Sequence, residues 1–316
     1  TMLLDICQRR WSEEILAAAQ IPGHRLPTLV EPGTVIDTLP AEVCDELGLA
    51  RGCALVAGGH DQQVCALGAG LLEAGEATDS LGTVECITTL FDRPVLRHDL
   101  LENNFSNLLH VYGGRVATLA YNFSSGDLFA WLRTTLFPGP PSFDAMFAQL
   151  SKRPSRVLVL PHFAGSGTPH LDAQAKGLIV GLTLQTTTAE ILRGVVDSMN
   201  YEMLLNLEVW RRNGLAFESL RAYGKGASCD PVLQIKADVL GLEVQRLNVP
   251  ETGCLGAALL AARGAAADFP VSDVLDRLVT VQRSFAPRSE FAEEHRRAYG
   301  LYQQLYPQMH SVVHAL

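Results

Sequence analysis

Residues 58–61 read Gly-Gly-His-Asp and lead into Gln62, Gln63, Val64, Ala66, Leu67 and Ala69, a run with helix-forming character. Before them, Ala54, Leu55, Val56 and Ala57 read as a strand. Asp61 therefore falls at the N-cap or in the first turn of a helix at the mouth of a strand. Open α/β sheets bind their ligands at such mouths. A carboxylate there can take a proton from a substrate hydroxyl, or it can do no more than cap the helix.

Three glycine turns offer binding chemistry. Gly82-Thr83 stands between two strand-like stretches, 77–81 and 85–90, where backbone N–H groups and the Thr83 hydroxyl could converge on one anion. A plain hairpin needs the same glycine. Gly224-Lys225-Gly226-Ala227-Ser228 follows a strand and opens a helix, a usual place for a phosphate or an adenine edge. It is neither a Walker loop nor a dinucleotide fingerprint, since Cys229 occupies the position of the third glycine. Ser124-Ser125-Gly126-Asp127 opens another helix, and a capped helix start explains it equally well. His162 and His170 flank Gly165-Ser166-Gly167 without metal-site spacing or a carboxylate pair. Ser166 lacks the glycine two residues earlier that a nucleophile elbow requires. Both histidines are expected to be loop residues.

The elements that must position these residues alternate, which makes the chain α/β. A short helix is expected over 12–19, then a long surface connection punctuated by Pro22, Pro27, Pro32 and Pro40. A buried strand over 53–59 precedes a helix over 61–72. Strands follow at 77–81, 85–90 and 115–121, with a helix over 124–137. Strand-like 156–160 leads into a loop over 161–169, and a strand over 178–182 precedes a long helix capped by Thr188. That helix carries Ile191, Val195, Met199, Met203 and Leu207 at helical spacing. The remaining expectations are strands at 219–223 and 244–247 and helices at 231–240, 255–262 and around 290–305.

Bulk numbers bound the function. The 316 residues suffice for two domains, and 47% hydrophobic with 19% charged residues suits a cytoplasmic globular protein. A net charge of −9 without a basic cluster argues against nucleic-acid and anionic-membrane partners. An acidic polyphosphate binder must rely on backbone amides, a few cations or magnesium. Seven cysteines are scattered without a C-x-x-C pair, so they read as small core residues of a reducing compartment, with neither disulfide nor metal site expected. No apolar stretch approaches the ~18 residues of a membrane span, and the start is no signal peptide. Thr1-Met2-Leu3-Leu4-Asp5 already reads as a strand, as if the chain began inside a domain.

Taken in order, these pieces resemble the FGGY family of carbohydrate kinases. The resemblance is carried by GGHDQQVCALGAG (58–70), TDSLGTVE (78–85), SSGDLFAWLR (124–133), LPHFAGSGTPHLDAQAKGLIVGL (160–182) and YGKGASCDPVLQIKADVLG (223–241), with GCLGAALLAA (253–262) in agreement. Residues 177–197 nearly fit the family's second signature, departing at Gly194, where alanine or serine is usual. The resemblance implies two lobes of the actin/hexokinase (ribonuclease H-like) ATPase fold. Residues 1–72 would be the C-terminal part of the first, sugar-binding lobe, and 73–316 the complete second, nucleotide-binding lobe. The family's N-terminal D-x-G-T/S turn, which meets phosphate and magnesium, has no match, so this stretch alone is expected to be weak or inactive.

The same resemblance assigns roles. Asp61 matches the general base that takes the proton of the attacking sugar hydroxyl, with Gln62 and His60 beside the substrate and Glu85 facing sugar or magnesium. Gly82 and Thr83 would hold the phosphates of ATP, Gly126 would line the nucleotide cleft, and Gly226 and Ala227 would border the adenosine. Asp230 stands where relatives often carry an adenine-meeting Asn, and Lys225 could add positive charge. The expected cofactors are ATP and Mg2+, the partner a small sugar or polyol, and the assembly a homodimer, as relatives often are. The rival reading is a non-catalytic or regulatory nucleotide-binding module of the same fold. A dehydrogenase is excluded because no G-x-G-x-x-G follows an early strand.

Overall fold

The computed structural model describes residues 2–139 and 141–316. Its centre is a seven-stranded mixed sheet built from β1 (Ala77–Leu81), β2 (Glu85–Phe91), β3 (Leu108–Leu109), β4 (Val116–Asn122), β5 (Ser219–Tyr223), β6 (Glu243–Leu247) and β7 (Val281–Phe285), in the order β7-β6-β5-β1-β2-β4-β3. β5 runs parallel to both β1 and β6, and the other pairings are antiparallel. β1 and β2 form a hairpin closed at Leu81↔Glu85, which leaves Gly82, Thr83 and Val84 as its turn.

Both faces of the sheet are covered, so its strands carry apolar residues on alternate sides. On β2, Ile87 enters the larger core and Leu90 the opposite one, three positions away. The larger core lies under α3 (Thr188–Arg212), α4 (Asp230–Leu240) and α6 (Ala292–Ala315), and buries Trp210, Tyr201, Leu233 and Tyr302. Across the sheet, α1 (Asp61–Gly68) and α5 (Thr252–Ala265) pack together through Val64, Leu67, Leu259 and Leu260. α2 (Gly126–Thr135) builds a further cluster with Val157, Val159, Leu192 and Val195.

Several sequence expectations need correction. The long connection after the first helix contains a strand, Val35–Thr38, and a helix, Ala41–Leu47. The strand expected to be buried over 53–59 is only Ala54–Val56, and Leu55 lies exposed because its sole partner is that short strand. Near the start, only Leu4–Asp5 pairs, with Arg10–Trp11, and Thr1 lies outside the described residues. α3 is capped by Thr187, one residue before the expected cap, its hydroxyl accepting from Glu190 N–H at 3.2 Å. β7 and the helix Val271–Leu278 went unforeseen. Among the described residues, no helix is long and apolar enough to cross a membrane.

Candidate active site

The β1–β2 turn and the start of α2 are bound to each other by backbone. Ser125 N–H donates to the Thr83 carbonyl at 3.2 Å, and Gly126 N–H to the Gly82 carbonyl at 3.1 Å. Ser125 makes no side-chain cap, and Ser124 Oγ instead accepts from Ala164 N–H at 3.1 Å. The helix start is therefore docked on the turn rather than capped by serine. Because each peptide unit is planar and trans, engaging the Gly82 and Thr83 carbonyls turns the N–H groups of Thr83 and Val84 away from α2. Adjacent donors aimed to one side make an anion-binding concavity.

That turn lines a cavity of about 650 Å³, a size typical of ligand sites. Gly82, Thr83, Glu85, Gly126 and Gly226 all border it, as does the exposed Lys225 at its rim. Phe129, Phe143 and Phe147 form an apolar wall. Glycine is required at two of these positions by packing. A Cβ on Gly126 would stand 2.8 Å from the Gly82 carbonyl oxygen, and one on Gly226 would stand 2.9 Å from Leu81 Cβ. Gly82 is different, since its added Cβ would meet only the Val84 carbonyl oxygen, at 3.6 Å.

Three expected contacts are placed otherwise. Glu85 is buried and bonded to Lys236, whose Nζ also lies 2.9 Å from Asp79. Its carboxylate is paired with that lysine while the residue borders the cavity. Burial pushes its carboxyl up to about 7, with Lys236 opposing the rise. Asp230 sits in the first turn of α4, its carboxylate held by Arg246 at 2.6 Å and by Arg283. It does not border the cavity, and neither does Ala227, which is buried in the larger core.

Asp61 lies in a second hollow of about 410 Å³, together with Gly58, Gly59 and residues of α5. Its side chain is 83% exposed, 3.3 Å from His60 Nδ1, and accepts from Gln62 N–H at 2.7 Å. His60 is the N-cap residue and Asp61 the first residue of α1. The two flanking glycines do different things. A Cβ on Gly59 would collide with Val111 Cγ1 at 2.3 Å, whereas Gly58 has open space around it. Gln62 leaves its buried Oε1 without a partner.

α1 is fixed from two sides. Gln63 meets His110 Nδ1 at 3.1 Å, and His110 Nε2 meets the Leu71 carbonyl at 3.1 Å. Burial pushes His110 down to about 4, and a neutral ring carries a single N–H, so it donates to either Gln63 Oε1 or the Leu71 carbonyl and not to both. On the other side α1 interlocks with α5. A Cβ on Gly68 would stand 1.9 Å from the Thr252 carbonyl oxygen, and one on Gly256 would stand 2.0 Å from that of Val64. The helix that presents Asp61 is thus set by backbone contact.

Lys236 went unmarked in the sequence, although it follows Val232 and Leu233 on the buried face of α4, an odd place for a lysine. Asn200, 3% exposed and bordering the cavity, was also missed; its buried Oδ1 lacks a partner. The departure at Gly194 has a packing cause, since a Cβ there would stand 2.6 Å from the Val157 carbonyl oxygen.

Comparison with known proteins decides the family. The model for the FGGY family of carbohydrate kinases, C-terminal domain, matches residues 77–265, and the family's N-terminal domain model matches 1–68. The chain belongs to the FGGY family of carbohydrate kinases. Among its FGGY relatives, a xylulose kinase of Staphylococcus epidermidis is 29% identical over 315 residues, covering 98% of this chain and 62% of the relative. A glycerol kinase of Bordetella pertussis is 33% identical over 302 residues, covering 91% of this chain and 56% of the relative. The chain therefore spans about three fifths of the length of these relatives. In fold, it superposes on a ligand-bound xylulose kinase from Lactobacillus acidophilus with a TM-score of 0.87 at 20% identity, over 97% of this chain and 62% of that one. A Plasmodium falciparum glycerol kinase with ADP gives 0.82 at 17% identity, over 98% and 61%. The actin/hexokinase-type α/β fold expected of an FGGY kinase is the fold present.

Proposed function

We propose that this chain is the catalytic part of an ATP-dependent carbohydrate kinase, in which the γ-phosphate of ATP passes to a hydroxyl of a sugar or polyol. The reading is carried by the Gly82–Val84 turn, whose Gly82 and Thr83 carbonyls are anchored on α2 so that the N–H groups of Thr83 and Val84 face away from that helix, while Gly82 N–H closes the turn on the Val84 carbonyl. Backbone donors held in this way bind phosphate without a basic cluster, which suits an acidic chain. In this reading residues 1–72 close the sugar-binding lobe and 73–316 form the nucleotide lobe.

Asp61 is the general base. Exposed, at the start of a clamped helix and next to the unobstructed Gly58, it can approach a substrate hydroxyl within hydrogen-bond reach. Such a base contributes about 10²–10⁴-fold, and the remaining barrier falls by positioning and charge neutralisation. Gln62 and His60 hold the substrate's neighbouring hydroxyls. Gly82 and Thr83 take the phosphates, Gly126 and Gly226 the nucleotide's flank. Glu85 acts through Lys236, and Asp230 keeps two arginines beside the adenosine end. Magnesium finds no protein cage here. Among the described residues, the one group of three metal-capable side chains within reach of one another lies outside the cavity. The ion would come with the nucleotide phosphates, and no step is assigned to it. The protein works in the cytoplasm as a homodimer.

The test is ADP release from MgATP by the longest protein containing this chain, across ketoses, aldoses and polyols. Turnover with one compound establishes the kinase and names its substrate. Folded protein that binds ATP but stays silent across the panel favours the regulatory module.

A further inference from the structure

Four of the nine histidines gather around Tyr306, outside the cavity. His170 stacks on its ring at 4.2 Å between centroids, and His310 meets it edge-on at 5.5 Å. His162 is a loop residue, as expected, yet fully buried beside Glu202, 3.3 Å from its carboxylate. His310 and His314 lie one turn apart on α6, their rings 4.0 Å apart. Opposite them, on the loop after His170, stands Asp172. One ligand atom from each of Asp172, His310 and His314 falls within 4.8 Å of the other two.

We propose that Asp172, His310 and His314 form a binding site for a divalent transition metal of the zinc type. Two imidazoles at i and i+4 on one helix face, joined by one carboxylate, are the donor set borderline dications prefer. Zinc bonds of about 2.0–2.2 Å place neighbouring tetrahedral ligand atoms about 3.4 Å apart. His314 Nε2 and Asp172 Oδ2 now touch at 2.5 Å, so the ion replaces a shared proton and the pair opens slightly. His310 is exposed and free to turn toward it, which leaves the fourth position to water.

The surroundings hold the carboxylate in place while this happens. Tyr306 O–H donates to Asp172 Oδ2 at 2.5 Å, and Gln174 N–H donates to Oδ1 at 2.9 Å. Such outer contacts orient a ligating carboxylate. The loop itself is anchored to β4, where Tyr121 N–H donates to Thr168 Oγ1 at 2.9 Å. Metal binding would cross-link the end of α6 to this loop. No sequence motif reveals the site, because Asp172 and the histidine pair lie more than a hundred residues apart.

The full protein, stripped with chelator, is titrated with Co2+ alone and its visible spectrum followed. One equivalent is expected, with ligand-field bands of nitrogen and oxygen donors, no thiolate charge-transfer band, and displacement by Zn2+. His310→Ala, an exposed substitution that spares the fold, should weaken binding at least tenfold, and Asp172→Asn likewise. Zn2+ should raise the melting temperature of the wild type but not of His310→Ala. A thiolate band, equal affinity in His310→Ala and Asp172→Asn, or no binding by the wild type would each overturn the proposal.

Discussion

The N–H of Gly126 donates to the carbonyl of Gly82 at 3.1 Å, making the hairpin turn and the start of α2 one rigid piece. This contact separates two substitutions that sequence alone would treat as equivalent. Gly126→Ala drives a Cβ to 2.8 Å from the Gly82 oxygen and should cost about 1–3 kcal/mol of stability, as overpacking does. Gly82→Ala meets nothing closer than 3.6 Å, so its stability should stay within about 1 kcal/mol. Its ATP affinity should nevertheless fall roughly tenfold, about 1.4 kcal/mol, because the methyl obstructs the approach of phosphate. Urea unfolding and nucleotide titration on both variants check this; unchanged affinity in Gly82→Ala would remove the phosphate assignment.

Lys236 joins Asp79 and Glu85 beneath that turn, all three buried. Removing one partner of a buried ion cluster leaves uncompensated charge, so Lys236→Met should cost about 3–5 kcal/mol in equilibrium unfolding. Adding Glu85→Gln to Lys236→Met should recover part of the loss, since one orphaned carboxylate is gone. Strictly additive losses would show that the pair does not interact.

Glu85 also makes stability depend on pH. Its carboxyl is pushed by burial from an ordinary 4.5 to about 7. Between those values the folded state keeps a proton that the unfolded chain releases, so its contribution declines as pH rises through that window. His110 and His295, pushed by burial from 6.5 down to about 4, act oppositely: the unfolded chain takes protons first, and their contribution is lost as pH falls through 6.5. Measured at about pH 5 and about pH 7.5, the wild type should lose stability relative to Glu85→Gln as pH rises. A constant difference between the two would contradict the buried, raised carboxyl.

Much of this arrangement was legible in the sequence because local patterns set it. β1 and β5 fall at the expected residues, since the glycine turns at Gly82 and Gly224 mark where they end. α3 was legible from its apolar spacing, and only its cap shifted by one residue. What stayed hidden depends on partners distant in the chain. Asp230 looked free to meet a base until Arg283, from an unforeseen strand, was seen to hold it. Glu85 was expected to face sugar or magnesium because Lys236, 151 residues away, gives no local signal. Gly226 reads as room for a ligand, yet a side chain there would first strike Leu81. Gly226→Val should therefore destabilise the fold as well as weaken ATP binding.

The α1–α5 interlock predicts an effect on Asp61, the proposed base, from outside its hollow. Gly256→Ala would place a Cβ 2.0 Å from the Val64 carbonyl oxygen and force the helices apart. A loss of at least about 2 kcal/mol is expected, with lower turnover in the protein that still folds. Gly253→Ala, which meets the Cys65 sulfur at 3.1 Å, should be milder. Equal stability and turnover in the two variants would mean that α1 is not positioned by α5.

The most direct measurement compares the longest protein containing this chain with its Asp61→Asn variant, following substrate-dependent ADP release and ATP binding together. Because Asp61 lies outside the cavity proposed for the nucleotide, the variant should bind ATP as the wild type does while its turnover falls at least ~10²-fold. Wild-type turnover in Asp61→Asn would contradict the assignment of the base, and with it the mechanism proposed for this chain.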